Sequence, residues 1–304
     1  MRAFLLLALC APLLAQSGFN GRWDITPHKH PRGRAWWLEI SGAGTPKPTG
    51  KFVSAYAGDM NTIDEIKVNG NSLTFSFKRP EGLLAYTTKL QGDKLIDGVY
   101  TENGTQKMTF SGVRAPEINE TDDGSWKKGK PVELFNGRDM TGWKPLLKDV
   151  PLGWKVDNGI LVNAPKANNL ISEGKYWNFE LHAEFRVGEH SNSGIGLRAR
   201  YEIQILEDYG KPPDTHSNAA LYSRVAASVN PSRKAGEWQT FDIRLVGRTV
   251  TVVANGKKVL DKVKIEGLTA VAVDANEGQP GPFILQGDHG SVEFRKLTLT
   301  PLTK

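Results

Sequence analysis

The sequence predicts an all-β protein of two units, a small antiparallel β-barrel followed by a larger jelly-roll β-sandwich of two packed sheets. Three observations carry that expectation. Short runs alternating apolar and polar residues recur along the chain, and no stretch of helical period competes with them. Turn residues, among them 32 Gly and 17 Pro, punctuate these runs. A polar segment at 114–130, RAPEINETDDGSWKKGK, shows neither period and reads as a linker between the units.

The N-terminal residues MRAFLLLALCAPLLAQS combine one early charge at Arg2, an apolar run over 3–14 and a small residue at Ala15. They read as a signal peptide over 1–15, too short to span a bilayer, with cleavage expected after Ala15. Cys10 is the only cysteine. Lipidation there is disfavoured by Leu9, which stands where a small residue is expected. The mature chain then has no thiol, which excludes thiolate catalysis, disulfides and Cys-ligated metals. An exported chain without disulfides fits a bacterial periplasm or the extracellular space. No later stretch is apolar for long enough to form a transmembrane anchor. The net charge is +6, from 39 Lys and Arg against 33 Asp and Glu, and the pI is about 9.2. The cations are scattered among acids, which fits a solvated surface better than a nucleic-acid partner. No feature fixes an oligomeric state.

Residues 18–113 carry the first unit. The run at 72–77 alternates cleanly after the turn Asn69-Gly70-Asn71. Runs at 86–90, 97–100 and 107–110 continue the pattern, the first followed by the turn Gln91-Gly92-Asp93. Strands about ten residues apart predict a small antiparallel barrel or sandwich. The opening Gly21-Arg22-Trp23-Asp24 resembles the first-strand Gly-x-Trp of calycin-like barrels. His28 and His30 stand two apart in a Pro- and Arg-rich loop without a carboxylate, so they read as solvated rather than metal-bound. Trp36 and Trp37 are expected as one core ring and one surface ring.

Residues 131–304 carry the second unit, with longer strands. At 178–187 the odd positions are Phe, Leu, Ala, Phe and Val, and the even ones are polar, so one face meets a core. Asn255-Gly256 between two alternating runs predicts a type I′ hairpin. The runs at 239–246 and 291–299 alternate too, the latter slipping phase at Arg295-Lys296, where a bulge is expected.

One run bears on function. In 195–205 the odd positions Ile195, Leu197, Ala199, Tyr201, Ile203 and Ile205 predict a buried face. The opposite face then carries Gly196, Arg198, Arg200, Glu202 and Gln204 in a row. Same-face neighbours lie about 7 Å apart, so such a row spans a small sugar. Two arginines, a carboxylate and an amide can bind hydroxyls and hold charge, or can form cross-strand ion pairs on a solvated face.

The region 132–302 resembles the 3-keto-disaccharide hydrolase family, formerly a domain-of-unknown-function family. The likeness begins with Leu134-Phe135-Asn136-Gly137-Arg138-Asp139 and Gly142-Trp143, then Trp154-Lys155-Val156, Asn158-Gly159 and Asn178-Phe179-Glu180-Leu181. The central block is Asn192-Ser193-Gly194-Ile195 running into Tyr201-Glu202-Ile203-Gln204-Ile205-Leu206. Ala220-Leu221-Tyr222, Gly236-Glu237-Trp238, Asn255-Gly256, Leu285-Gln286-Gly287-Asp288-His289-Gly290 and Val292-Glu293-Phe294-Arg295 complete it. Ala219 and Gln239-Thr240 depart from the family pattern without touching Glu202 or His289. The 18–113 barrel lies outside the likeness.

The resemblance implies a concanavalin A-like jelly roll and cleavage of a 3-keto-glycoside by removal of the C2 proton and departure of the C1 aglycone. On that expectation Glu202 serves as base or metal ligand, the alternative being a salt bridge. His289, exposed in a turn, is the residue best poised near neutral pH. Arg198, Gln204, Tyr222 and Gln286 are expected to bind substrate. Asp208 and Asp288 are candidate ligands of a divalent metal, calcium or a catalytic ion, though no cofactor is certain. Glu202, Gln204 and Glu207 also show the i, i+2, i+5 spacing of laminarinase-type glucanases, but Gln204 replaces the central acid, so a retaining two-carboxylate mechanism does not follow. The competing reading is a non-catalytic carbohydrate-binding module, for which Trp177 and Tyr209 are the candidate aromatic platforms.

Overall fold

A computed structural model of the chain describes residues 17–54 and 58–304. The expected signal at 1–15 lies outside the described residues. Every named element between 21 and 303 is a strand. The chain divides into two units. The first runs to Pro116 and also takes in Gly267–Glu277; the second comprises Glu117–Glu266 and Gly278–Lys304. Among the described residues no helix is long and apolar enough to cross a membrane.

The first unit is an antiparallel meander of β1 (Gly21–Pro27), β2 (Trp36–Ser41), β3 (Thr49–Val53), β4 (Met60–Thr62), β5 (Glu65–Asn69), β6 (Ser72–Arg79), β7 (Gly82–Gln91), β8 (Lys94–Glu102) and β9 (Thr105–Arg114). Its order is β4-β3-β2-β1-β9-β8-β7-β6-β5. The link between the two edge strands touches both sides. Ile63 donates its N–H to the Gly50 carbonyl at 3.0 Å, and Asp64 donates to Ser76 at 3.2 Å. The sheet thereby curls into an up-and-down barrel whose end strands β4 and β5 are joined by this link. Aromatic rings fill the interior, with Phe75, Tyr86 and Tyr100 stacked in series and the edge of Trp36 against both tyrosines. Trp36 and Trp37 are both fully buried, so the expected surface ring is absent. Residues 267–277 account for this. Gly267 lies against the Trp37 indole, Ala35 donates to the Ala272 carbonyl, and Arg34 Nη1 donates to the Val271 carbonyl.

The second unit is a sandwich. Its larger sheet holds β13 (Trp154–Asp157), β14 (Ile160–Asn163), β23 (Val292–Thr303), β16 (Phe179–Val187), β19 (Gln239–Val246), β20 (Thr249–Ala254) and β21 (Lys257–Lys264), with the short β10 (Lys127–Lys128) and β11 (Val132–Glu133) on β23. The smaller holds β12 (Trp143–Pro145), β15 (Leu170–Ser172), β22 (Ile284–Leu285), β17 (Asn192–Leu197) and β18 (Tyr201–Leu206). The odd positions of β16 are buried as the alternation requires, and Phe179 meets Phe283 with ring centroids 4.8 Å apart. Asn255 and Gly256 both have positive φ, the type I′ geometry. The β16–β23 register shifts opposite Arg295, which is the bulge.

The 114–130 stretch, expected as a linker, is engaged from Glu120 onward, where Glu120 Oε1 accepts from Trp177 Nε1 at 2.8 Å. Asp122 accepts from Nε and Nη2 of Arg244 at 2.9 and 2.8 Å, and β10 pairs with the end of β23.

Candidate active site

The run at 195–205 is two strands rather than one. β17 and β18 form a hairpin in which Gly194 faces Gln204, Gly196 faces Glu202 and Leu197 faces Tyr201. Arg198 and Ala199 make the turn with φ of 52° and 54°, and Arg200 donates its N–H to the Leu197 carbonyl at 3.0 Å. The expected row of Arg198, Arg200, Glu202 and Gln204 is therefore broken at its first two members. Arg198 instead stacks its guanidinium 3.7 Å over Trp177, and donates to the Trp177 carbonyl and to Asn178 Oδ1. Arg200 donates from Nη1 to the Gln279 carbonyl.

The ladders assemble a different constellation. Directly opposed residues of antiparallel strands point to the same face. Across β18, β17 and β22, Glu202 faces Gly196 and Gly196 faces Ile284. On the other side of β18, Tyr222 donates its N–H to the Glu202 carbonyl, next to the bridge between Ile203 and Leu221. One row thus reads Tyr222, Glu202, Gly196, Ile284. In the next row Gln204 faces Gly194, and Gln286 donates its N–H to the Gly194 carbonyl. Glu202, Gln204, Tyr222 and Gln286 therefore share the face that points away from the sandwich core, with glycines between them.

The two glycines make the floor of this site. A Cβ on Gly194 would fall 2.5 Å from Glu202 Oε1, and one on Gly196 would crowd Ile284. Glu202, Gln204 and Gln286 are only 3%, 2% and 8% exposed. Gln204 Nε2 reaches Asn192 Oδ1 at 3.5 Å, while the Oε1 atoms of Gln204 and Gln286 have no partner. A buried acceptor left unpaired costs about 1–3 kcal/mol. Two such acceptors flank Gly194.

His289 lies at the end of this face. Its neighbour Gly290 donates to the Asn192 carbonyl, level with Leu206 across the hairpin and two residues from Gly194. Its Nδ1 lies 2.9 Å from Asp288 Oδ1, and its side chain is 46% exposed. The bond to Asp288 orients the ring, as a carboxylate partner does in acid–base sites.

Both oxygens of Asp208, expected as a metal ligand, are engaged within the chain. Asp208 is buried with Oδ2 taken by the Asn218 N–H and Oδ1 by the Ser232 hydroxyl. Among the described residues no three His, Cys, Asp or Glu side chains gather as metal ligands.

Asn192 and Asn169 belong to the site although the sequence assigned neither a role. Asn192 supports Gln204, and Asn169 Oδ1 accepts from the N–H groups of Gly287 and Asp288, fixing the turn that ends in His289. Asparagine suits such a turn, but only the ladder shows which turn it serves.

Residues 130–300, more than half of the chain, match the model of the 3-keto-alpha-glucoside-1,2-lyase-like domain. The chain belongs to that family. The lyase-like domain spans the smaller sheet, all of the larger one but β10 and the end of β23, and every residue of the site just described. It is similar to a 3-keto-disaccharide hydrolase of Bacteroides thetaiotaomicron, at 25% identity over 166 residues. That alignment covers 43% of this chain and 57% of the relative, so the chain spans little more than half the relative's length. Two solved structures from Parabacteroides distasonis, assigned as glycosyl hydrolases, are also similar. One is 25% identical, covers 60% of this chain and 93% of its own, and has a TM-score of 0.49. The other is 21% identical, covers 57% and 94%, and has a TM-score of 0.48.

Proposed function

We propose that the protein is an exported enzyme that cleaves glycosides whose sugar carries a ketone at C3. The observation that carries this reading is the buried carboxylate of Glu202 on a glycine floor, beside the two unpartnered amide oxygens of Gln204 and Gln286. The amide oxygens accept hydroxyls of the keto ring and set its C2–H against Glu202. The ketone makes that proton acidic enough for a carboxylate to remove, and the electron pair becomes an enediolate over C2 and C3. The pair then returns to form the C1–C2 double bond as the C1–O bond breaks. His289, oriented by Asp288, gives a proton to the departing oxygen. Water adding across the double bond, with its oxygen on C1 and a proton on C2, completes a net hydrolysis. Glu207, the next acid after Glu202, accepts from the His190 N–H, and Gln204 stands where the glucanase-type spacing has its central acid.

The test is incubation of the purified protein with a methyl 3-keto-glucoside and with its unoxidised parent. Cleavage of the first alone is expected. Equal cleavage of both would overturn the C2–H step, and binding without cleavage of either would make the protein a carbohydrate-binding module.

A further inference from the structure

Tyr209 is 52% exposed, the highest value among the described large apolar side chains, yet the backbone beneath it is held from several directions. Asp208 is 2% exposed and accepts from the Asn218 N–H at 2.8 Å and from the Ser232 hydroxyl at 2.7 Å. Asn218 Nδ2 in turn donates to Ser232 Oγ at 2.9 Å. Asn230 Nδ2 donates to the carbonyls of both Asp208 and Lys211, closing a clamp around the turn at Gly210. A loop tip that only faces water needs no such buried network; surface loops are ordinarily mobile. This one carries an exposed ring on a backbone held in place, with the Lys234 ammonium 5.8 Å from its centroid.

The loop is rooted in the site. β18 carries Glu202 and Gln204 and leads directly to Asp208, with the Glu207 N–H still bonded to the Ser191 carbonyl. Asn218, which holds Asp208, leads into residues 219–222, which pair along the Glu202–Gln204 edge. β18 ends at Leu206, and at about 3.3 Å per residue at most, Asp208 lies within about 13 Å of Gln204. Passing along β18 therefore meets Glu202, then the two glutamine amides, then the level of His289, and last Tyr209.

We propose that Tyr209 is a stacking platform for a sugar ring of the leaving group, beyond the unit joined to the keto ring, and that Asp208 is the positioning residue that holds it. This rests on the reading of Glu202, Gln204 and Gln286 as the keto-ring site. An exposed aromatic face takes the C–H face of a pyranose, and Lys234 supplies N–H donors for its hydroxyls. Substrates of this site then have oligosaccharide leaving groups, and Asp208 holds the loop through its bonds to Asn218 and Ser232.

The experiment compares kcat/KM on a 3-keto-oligosaccharide with three further glucose units and on methyl 3-keto-glucoside. Tyr209→Ala is expected to lower the ratio of the two values about tenfold, through KM on the long substrate, the size of one lost aromatic contact. Tyr209→Phe keeps the ratio, and Asp208→Asn lowers it as Tyr209→Ala does. An unchanged ratio in Tyr209→Ala overturns the platform. If the unmutated protein cleaves neither substrate, the keto-ring reading fails separately. Calorimetric binding of the unoxidised oligosaccharide then decides for Tyr209: weakening in Tyr209→Ala supports the platform, while equal or absent binding overturns it.

Discussion

A Cβ on Gly194 would stand 2.5 Å from Oε1 of Glu202, closer than side chains tolerate, and 3.1 Å from its Cγ. The φ of Gly194 is not positive, so glycine is required there for space and not for backbone freedom. Because the obstructed atom is the end of a flexible side chain, Gly194→Ala is expected to fold and to push the carboxylate aside. Turnover of a 3-keto-glucoside should fall about 10²-fold with little change in melting temperature. A variant with unimpaired turnover would show that the carboxylate acts from some other position.

Glu202→Gln keeps the shape of the side chain and removes the base. Its kcat is expected to fall about 10²-fold or more while binding of substrate persists. In heavy water the unmutated protein should leave deuterium on C2 of the recovered sugar. Protium retained at C2 would mean that the proton never leaves.

Arg244 is held by two oxygens of Asp122 and by Glu180 at 2.9 Å. The Arg244 hydrogen bond holds the Asp122 carboxyl below its ordinary 3.8, and the same bond raises the arginine. A carboxyl whose pKa is lower in the folded state stabilises the fold above 3.8 and loses that contribution as the pH falls below it. Asp122→Asn should therefore lower stability at pH 7 by about 1–3 kcal/mol, read as a lower denaturant midpoint. An unchanged midpoint would show that the 117–130 stretch holds to the sheet without this pair.

His30 gives the first unit a pH dependence. Burial, with Arg34 and Arg32 adding to it, pushes its pKa down from 6.5 to about 4. Its Nδ1 accepts from the N–H groups of Arg32 and Arg34, which fits a neutral ring. Between about 4 and 6.5 the unfolded chain binds a proton that the folded chain refuses. The stability present above 6.5 is thus lost as the pH falls toward 4. The drop in melting temperature between pH 7 and pH 4.5 should be smaller in His30→Asn than in the unmutated protein. Equal drops would assign the pH dependence to other groups.

Much of the fold is legible as alternation closed by turn residues, as at Asn255-Gly256 and at 178–187. The site was legible only in part, and the reason lies at 195–205. In the β17–β18 hairpin facing residues sum to 398, as in Ile195 with Ile203, so each residue faces one of the same parity. Odd positions stay buried on both strands, and the alternation runs on through a reversal of the chain. The turn carries Arg198 and Ala199 in the left-handed region, where glycine or asparagine would have marked it. Glu202, Gln204, Tyr222 and Gln286 stand out in the sequence as candidates, but their meeting on one face depends on pairings between distant segments. Trp37 is buried along with Trp36, where one surface ring is expected, for a similar reason. Its cover comes from residues 267–277, more than two hundred positions away.

The ring stack in the barrel supplies an optical handle on the molecule. Tyr86 and Tyr100 lie 4.6 Å apart at 15°, and Phe75 lies 4.7 Å from Tyr86 at 3°, with the Trp36 indole edge-on to both tyrosines. Chromophores held this close and this parallel couple their electronic transitions and generate strong ellipticity in the near ultraviolet. The coupling vanishes once the rings separate. Loss of this signal therefore marks the melting of the first unit, while turnover of a 3-keto-glucoside marks the second, and one heating experiment can date the two events independently.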